Sequence, residues 1–116
     1  MKVYIAGPMT GLKDFNYPAF NAAAQRWRDA GFQVFNPAEN FDGDTGRDYR
    51  EYMREDLAML LKVDAIALLM GWRLSRGARY ELLTAQLLGL LIYNAETMQQ
   101  FAPPKIGTGF EGLLIA

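Results

Sequence analysis

The chain has 116 residues, 51% of them hydrophobic and 22% charged, with a net charge of -1. That is one domain of ordinary globular usage, and it excludes disordered, collagen-like and coiled-coil readings. Cysteine and histidine are both absent, which excludes a disulfide framework, a thiolate nucleophile, a zinc–thiolate site, an imidazole base and a Ser-His-Asp triad. Chemistry near neutral pH therefore has to rest on carboxylates, hydroxyls, lysine or backbone dipoles. Twelve basic against 13 acidic residues lack the surplus of a polynucleotide-binding domain. No apolar run reaches the ~18 residues of a membrane helix, and the N-terminal stretch reads as a strand, not a signal peptide.

In chain order, Val3 to Ala6 is a short β-branched apolar run stopped by Gly7-Pro8, which predicts a buried strand. A loop continues through Met9-Thr10-Gly11. Pro18 opens a helix whose apolar stripe is Phe20, Ala23, Ala24, Trp27 and Ala30, and Gly31 sits where a C-terminal glycine belongs. Phe32 to Phe35 predicts a second strand, and Asn40 to Gly46 a loop. Tyr49 to Leu61 carries a second helical stripe. Ala65 to Met70 reads as a strand covered on both faces, broken by Gly71-Trp72. Ser75 caps a third helix running to about Leu88, and Leu90 to Tyr93 predicts a last strand. The tail from Phe101 to Gly112 reads as irregular, and Leu113 to Ala116 has no assignment. Strands alternating with helices predict an α/β fold: a three-layer, doubly wound parallel sheet of four or five strands, Rossmann- or flavodoxin-like, in one domain over 1–116.

Open parallel sheets bind ligands at the carboxyl ends of their strands, and two loops fall there. Gly7, Pro8, Met9 and Thr10 follow the first strand; the small residues of this loop allow close backbone approach, although it lacks the Gly-Lys-Ser/Thr ending of a P-loop. The second loop leads into Ser75, Arg76 and Gly77, where the amides from Arg76 to Ala78 are free to meet an anion.

Glu81 lies one turn inside that helix, with small neighbours Gly77, Ala78, Thr84 and Ala85; the alternative is a solvated first-turn glutamate. Asp56 falls on an apolar stripe between Tyr52, Met53, Met59 and Leu60, so it needs a partner or a raised pKa; an ion pair with an arginine is the structural alternative. Tyr4 faces the opposite side of its strand from Val3 and Ile5, which is also compatible with an ordinary core tyrosine. Two carboxylates converging at the strand ends suit glycosidic-bond chemistry. Arg73, Arg76 and Arg79 are possible phosphate ligands or solvated surface residues. Trp72 suits base stacking or packing. Asp14, Asn16, Asn36, Asp42 and Asp44 read as loop and turn residues.

Val-Tyr-Ile-Ala-Gly-Pro at 3–8, Arg-Glu-Asp-Leu at 54–57, Asp64-Ala-Ile, and Ser75-x-Gly77-x-x-Tyr80-Glu81 occur in this order. Over about residues 2–93 the chain resembles the nucleoside 2-deoxyribosyltransferase superfamily, which includes the 2′-deoxynucleoside 5′-phosphate N-glycosidases. Its opening Ala-Gly-Pro-Met-Thr-Gly is similar to one small branch. The resemblance implies that Glu81 attacks C1′ of a deoxyribose, Tyr4 orients Glu81, Asp56 assists the leaving base, and Ser75 binds a 5′-phosphate. It implies a small nucleoside or nucleotide as substrate and a homo-oligomer; no cofactor or metal is expected, and the lack of a membrane run or signal peptide predicts a soluble, cytoplasmic setting. The first loop departs from hydrolase members by carrying Thr10 near the place of a phosphate-binding arginine. Two other classes compete: a nucleotide-binding module without turnover, and a structural subunit with no small ligand.

Overall fold

The computed structural model describes residues 1–43 and 45–103. Asp44 and the tail beyond Pro103 lie outside the described residues, and so do the readings made for them. Four strands are present there: β1 (Lys2–Ala6), β2 (Gln33–Phe35), β3 (Ala65–Leu68) and β4 (Leu91–Asn94). Three helices alternate with them: α1 (Tyr17–Asp29), α2 (Tyr49–Leu60) and α3 (Arg76–Leu87).

All strand pairs are parallel, in the order β2-β1-β3-β4. Val3 pairs with Ala65 and Ala6 with Leu68, so β1 and β3 end side by side. Period-two alternation sorts the central side chains into two cores. Val3, Ile5, Ala65 and Ala67 pack with Phe20, Ala23, Ala24 and Trp27 of α1. Tyr4, Ala6, Ile66 and Leu68 pack with Leu60, Leu82 and Ala85 of α2 and α3. The three layers are therefore α1, the sheet, and α2 with α3. The chain moves one way along the sheet from β1 to β2 and the other way afterwards. The helices change face at the same point, as connections of one hand require. That reversal opens a crevice beyond the carboxyl ends of β1 and β3.

Several predicted boundaries move. Phe32 belongs to the end of α1, not to β2. Gly31 takes φ +97°, its N–H donates to Arg28 O at 2.9 Å, and Phe32 N–H donates to Trp27 O at 3.1 Å. This Schellman closure brings Phe32 against Trp27, with ring centroids 4.9 Å apart. The same closure, with Gly89 at φ +71° and Leu90 N–H on Ala85 O, moves the start of β4 to Leu91. β3 ends at Leu68, not Met70: Leu69 N–H still bonds Ala6 O, but Gly71 turns the chain at φ +88° and Met70 is 80% exposed.

The stretch expected as a loop from Asn40 begins inside a 3-10 turn over Pro37–Gly43, and Asp42 lies in its backbone. Asn36 starts that turn by accepting the N–H of Ala38 on Oδ1 while donating to Asn21, and is only 3% exposed. Ahead of α1, Asp14, Phe15 and Asn16 are all left-handed, at φ 53°, 53° and 60°, a conformation sequence patterns do not suggest for phenylalanine. Asn16 Nδ2 ties this segment to Pro8 O at 3.0 Å.

Candidate active site

A cavity of about 560 Å³ fills the crevice, within the usual size range of small-ligand sites. Gly7, Pro8, Met9 and Thr10 from the β1 loop form one wall, and Ser75, Gly77, Ala78 and Glu81 from the start of α3 form another. α2 contributes Tyr49, Tyr52, Met53 and Asp56, and the entry to α1 contributes Phe15, Tyr17 and Phe20. Tyr4 lies beneath, with no exposed surface. The structure thus brings together all nine residues selected from sequence: eight line the cavity, and Tyr4 reaches it through Glu81.

Glu81 is not a solvated helix glutamate. It is 5% exposed, and the Tyr4 hydroxyl donates a hydrogen bond to its Oε2. Helical spacing puts Glu81 on the sheet-facing stripe of α3 with Ala78, Leu82 and Ala85. Pleat alternation points Tyr4 at that stripe from below. Of the small neighbours expected to open space above Glu81, Gly77 and Ala78 do so, whereas Ala85 is core. Thr84 instead bonds the Tyr80 carbonyl through its hydroxyl.

Asp56 is 9% exposed. Its structural alternative, a pair with arginine, is not what the site shows: Oδ1 accepts a hydrogen bond from Asn40 Nδ2 at 3.0 Å. Sequence reasoning missed Asn40, because it lies inside a stretch read as loop and its partner is 16 positions away. The aromatic wall of Phe15 and Tyr17, with rings 6.1 Å apart, was missed as well, since the left-handed turn that aims it has no local signature.

Burial dominates the electrostatics. Desolvation pushes the Asp56 carboxyl up to about 7, against the Asn40 and Tyr4 hydrogen bonds, while the negative charge of Glu55 pushes the same way as burial. Glu81 is raised well above the usual carboxylate range, first by burial and then by the charge on Asp56, and the Tyr4 hydrogen bond opposes both. Tyr4 is itself raised by burial and by the two carboxylates, so its hydroxyl keeps its proton and acts as a donor. Two buried carboxyls that repel each other retain a proton between them near neutrality.

The anion-binding elements are less uniform. Ser75 Oγ accepts Ala78 N–H at 3.1 Å, so that amide is occupied, contrary to expectation, and those of Arg76 and Gly77 remain for a ligand. Among the three arginines, only Arg76 lines the cavity. Arg73 lies over the Trp72 ring, 5.2 Å from its centroid, and Trp72 packs against the core instead of facing the cavity. No group of side chains suited to a metal ion occurs among the described residues, and no described helix is long and apolar enough to cross a membrane.

A parallel sheet ordered 2-1-3-4 with buried carboxyls at its switch point is a doubly wound α/β architecture with its polar groups at the ligand-binding end. The fold is shared with a 2-deoxyribosyltransferase from the psychrotolerant bacterium Bacillus psychrosaccharolyticus, at TM-score 0.64 and 24% identity over 79% of this chain and 69% of that one. The chain belongs to the family described as a domain of unknown function, DUF4406, whose model matches residues 1–94. No curated protein matches it.

Proposed function

We propose that the protein cleaves or transfers at the N-glycosidic bond of a 2′-deoxynucleoside or its 5′-monophosphate. The observation that carries this reading is the buried Glu81 carboxyl, bonded by Tyr4, facing the same cavity as the buried Asp56. The ionised Glu81 attacks C1′ and forms a glycosyl ester. The C1′–N bond breaks, its electron pair passes to the base, and Asp56 delivers a proton to that base. Water, or the nitrogen of a second base, then attacks C1′, and Glu81 leaves as the carboxylate while Asp56 recovers the proton. Tyr4 favours the ionised Glu81, because a donor stabilises the charged form. An acid whose pKa lies near neutrality suits proton delivery at that pH.

The test is chromatography of free bases after incubation with the four deoxynucleosides and their 5′-monophosphates, beside Glu81→Ala. Wild type should release base, and Glu81→Ala should fall to the uncatalysed background with an unchanged circular dichroism spectrum. If wild type releases nothing, a second free base is added to detect strict transfer. Turnover undiminished in Glu81→Ala rejects the mechanism. Thermal stabilisation by nucleotide without release or exchange favours the binding module instead.

A further inference from the structure

We propose that Asn40 is a positioning residue for the acid of this site: its carboxamide fixes which oxygen of Asp56 carries the proton that the departing base receives. The inference rests on the glycosidic reading above.

Asn40 stands outside α2, on the 3-10 turn that follows β2, and donates from Nδ2 to Asp56 Oδ1 at 3.0 Å. An amide NH2 is only a donor, so the oxygen it faces has to keep its lone pairs. When Asp56 takes up a proton, Oδ1 stays the carbonyl oxygen and the proton goes to Oδ2. Without that contact the proton can sit on either oxygen, and about half of the protonated orientations then place the hydrogen wrongly. The turn carrying Asn40 is held before any ligand arrives. The Arg28 guanidinium donates to both Glu39 oxygens at 2.9 and 2.8 Å and to Val34 O at 3.1 Å. Asn36 holds the start of the turn to Asn21 of α1.

The charged and titratable groups that act on Asp56 come from every packed element: Glu55 beside it on α2, Tyr4 on β1 and Glu81 on α3, with Tyr49 at the start of α2. Glu55 and Glu81 disfavour its charge. Tyr4 and Asn40 favour it, and the hydroxyl of Tyr4 is also committed to Glu81. Asn40 therefore does two things at once: it orients the acid, and it keeps its titration near neutrality against burial.

The test is a titration of the Asp56 carboxyl by carbon-13 NMR in aspartate-labelled protein, for wild type and Asn40→Leu, alongside the pH profile of base release. The Asp56 midpoint should rise by about one pH unit in Asn40→Leu, as loss of a hydrogen bond to a charged group predicts. The falling limb of kcat should move up with it. At pH 6, where Asp56 is protonated in both proteins, kcat should still fall by about twofold with KM nearly unchanged, as loss of the preferred oxygen predicts. An unmoved midpoint in a folded variant overturns the proposal, and so does a moved midpoint with unchanged kcat at pH 6. Should Asn40→Leu not fold, Asn40→Ser, whose hydroxyl falls short of Asp56, carries the same readings. Absence of base release and exchange by wild type overturns the glycosidic reading instead; the titration then still decides whether Asn40 governs Asp56.

Discussion

Asp56 and Glu81 both sit where a carboxylate is disfavoured, and this has a consequence for stability that does not depend on the reaction. Asp56 titrates at about 7 in the fold against an ordinary 3.8. Between those values the folded chain binds a proton that the unfolded chain has released. Stability therefore falls as pH rises from about 4 to 7 and levels off above. Glu81, raised in the same direction, adds to the slope. Asp56→Asn removes the ionisation and leaves an oxygen for Asn40. In urea unfolding the variant should be more stable than wild type at pH 8, by on the order of 4 kcal/mol, and by less than half of that at pH 5. Equal stabilities at pH 8 would show that Asp56 is not held in a desolvated site. A buried acid that weakens the fold at working pH is what a functional site looks like energetically.

At the scale of elements, the site depends on how closely the β1 loop passes the end of β3. A Cβ placed on Gly7 would lie 2.7 Å from Leu69 Cβ, nearer than two carbons can pack. Gly71, at φ +88°, turns the other loop with its own Cβ position 3.3 Å from Pro8 Cγ. These contacts hold the two cavity loops against each other, and Leu69 N–H on Ala6 O closes the seam at 2.8 Å. Gly7→Ala should therefore separate the loops and lower stability by about 1–3 kcal/mol in denaturant unfolding, with a loss of nucleotide-induced thermal shift larger than the stability change explains. A neutral Gly7→Ala would mean that the loops separate freely. The helix ends follow local rules more simply. Gly31 and Gly89 each close a helix in the left-handed region, and the strands begin only after those closures are complete.

For the whole molecule, the decisive feature is the strand order. β1 and β3 are central, paired on both sides and covered by helices on both faces, while β2 and β4 form the edges. Residues Val3 to Ala6 and Ala65 to Leu68 are buried throughout. Native-state hydrogen exchange should find the slowest amides in these two strands, faster exchange in β2 and β4, and the fastest at the exposed segment from Gly11 to Phe15. Uniform protection over all four strands would contradict this layering. The same arrangement sets the cavity above the two doubly covered strands, with the loops after β1 and β3 and the helices α2 and α3 as its walls.

The sequence by itself determined the element types, because hydrophobic periodicity is a local property that each strand and helix carries in its own residues. It also confined the chemistry to carboxylates, hydroxyls, lysine or backbone dipoles, by lacking histidine and cysteine, and it marked Asp56 as anomalous on its apolar stripe and Glu81 by its small neighbours. Their convergence was decided only by the tertiary structure. Tyr4 and Glu81 are 77 positions apart, and no pattern within either segment encodes their contact. Burial, and with it each pKa, is a collective result of β1, α2 and α3 closing together. Asn40, the left-handed turn before α1 and the true end of β3 were illegible for the same reason. Each is fixed by a partner remote in the chain or by a steric limit at a loop crossing, and neither leaves a mark on neighbouring residues.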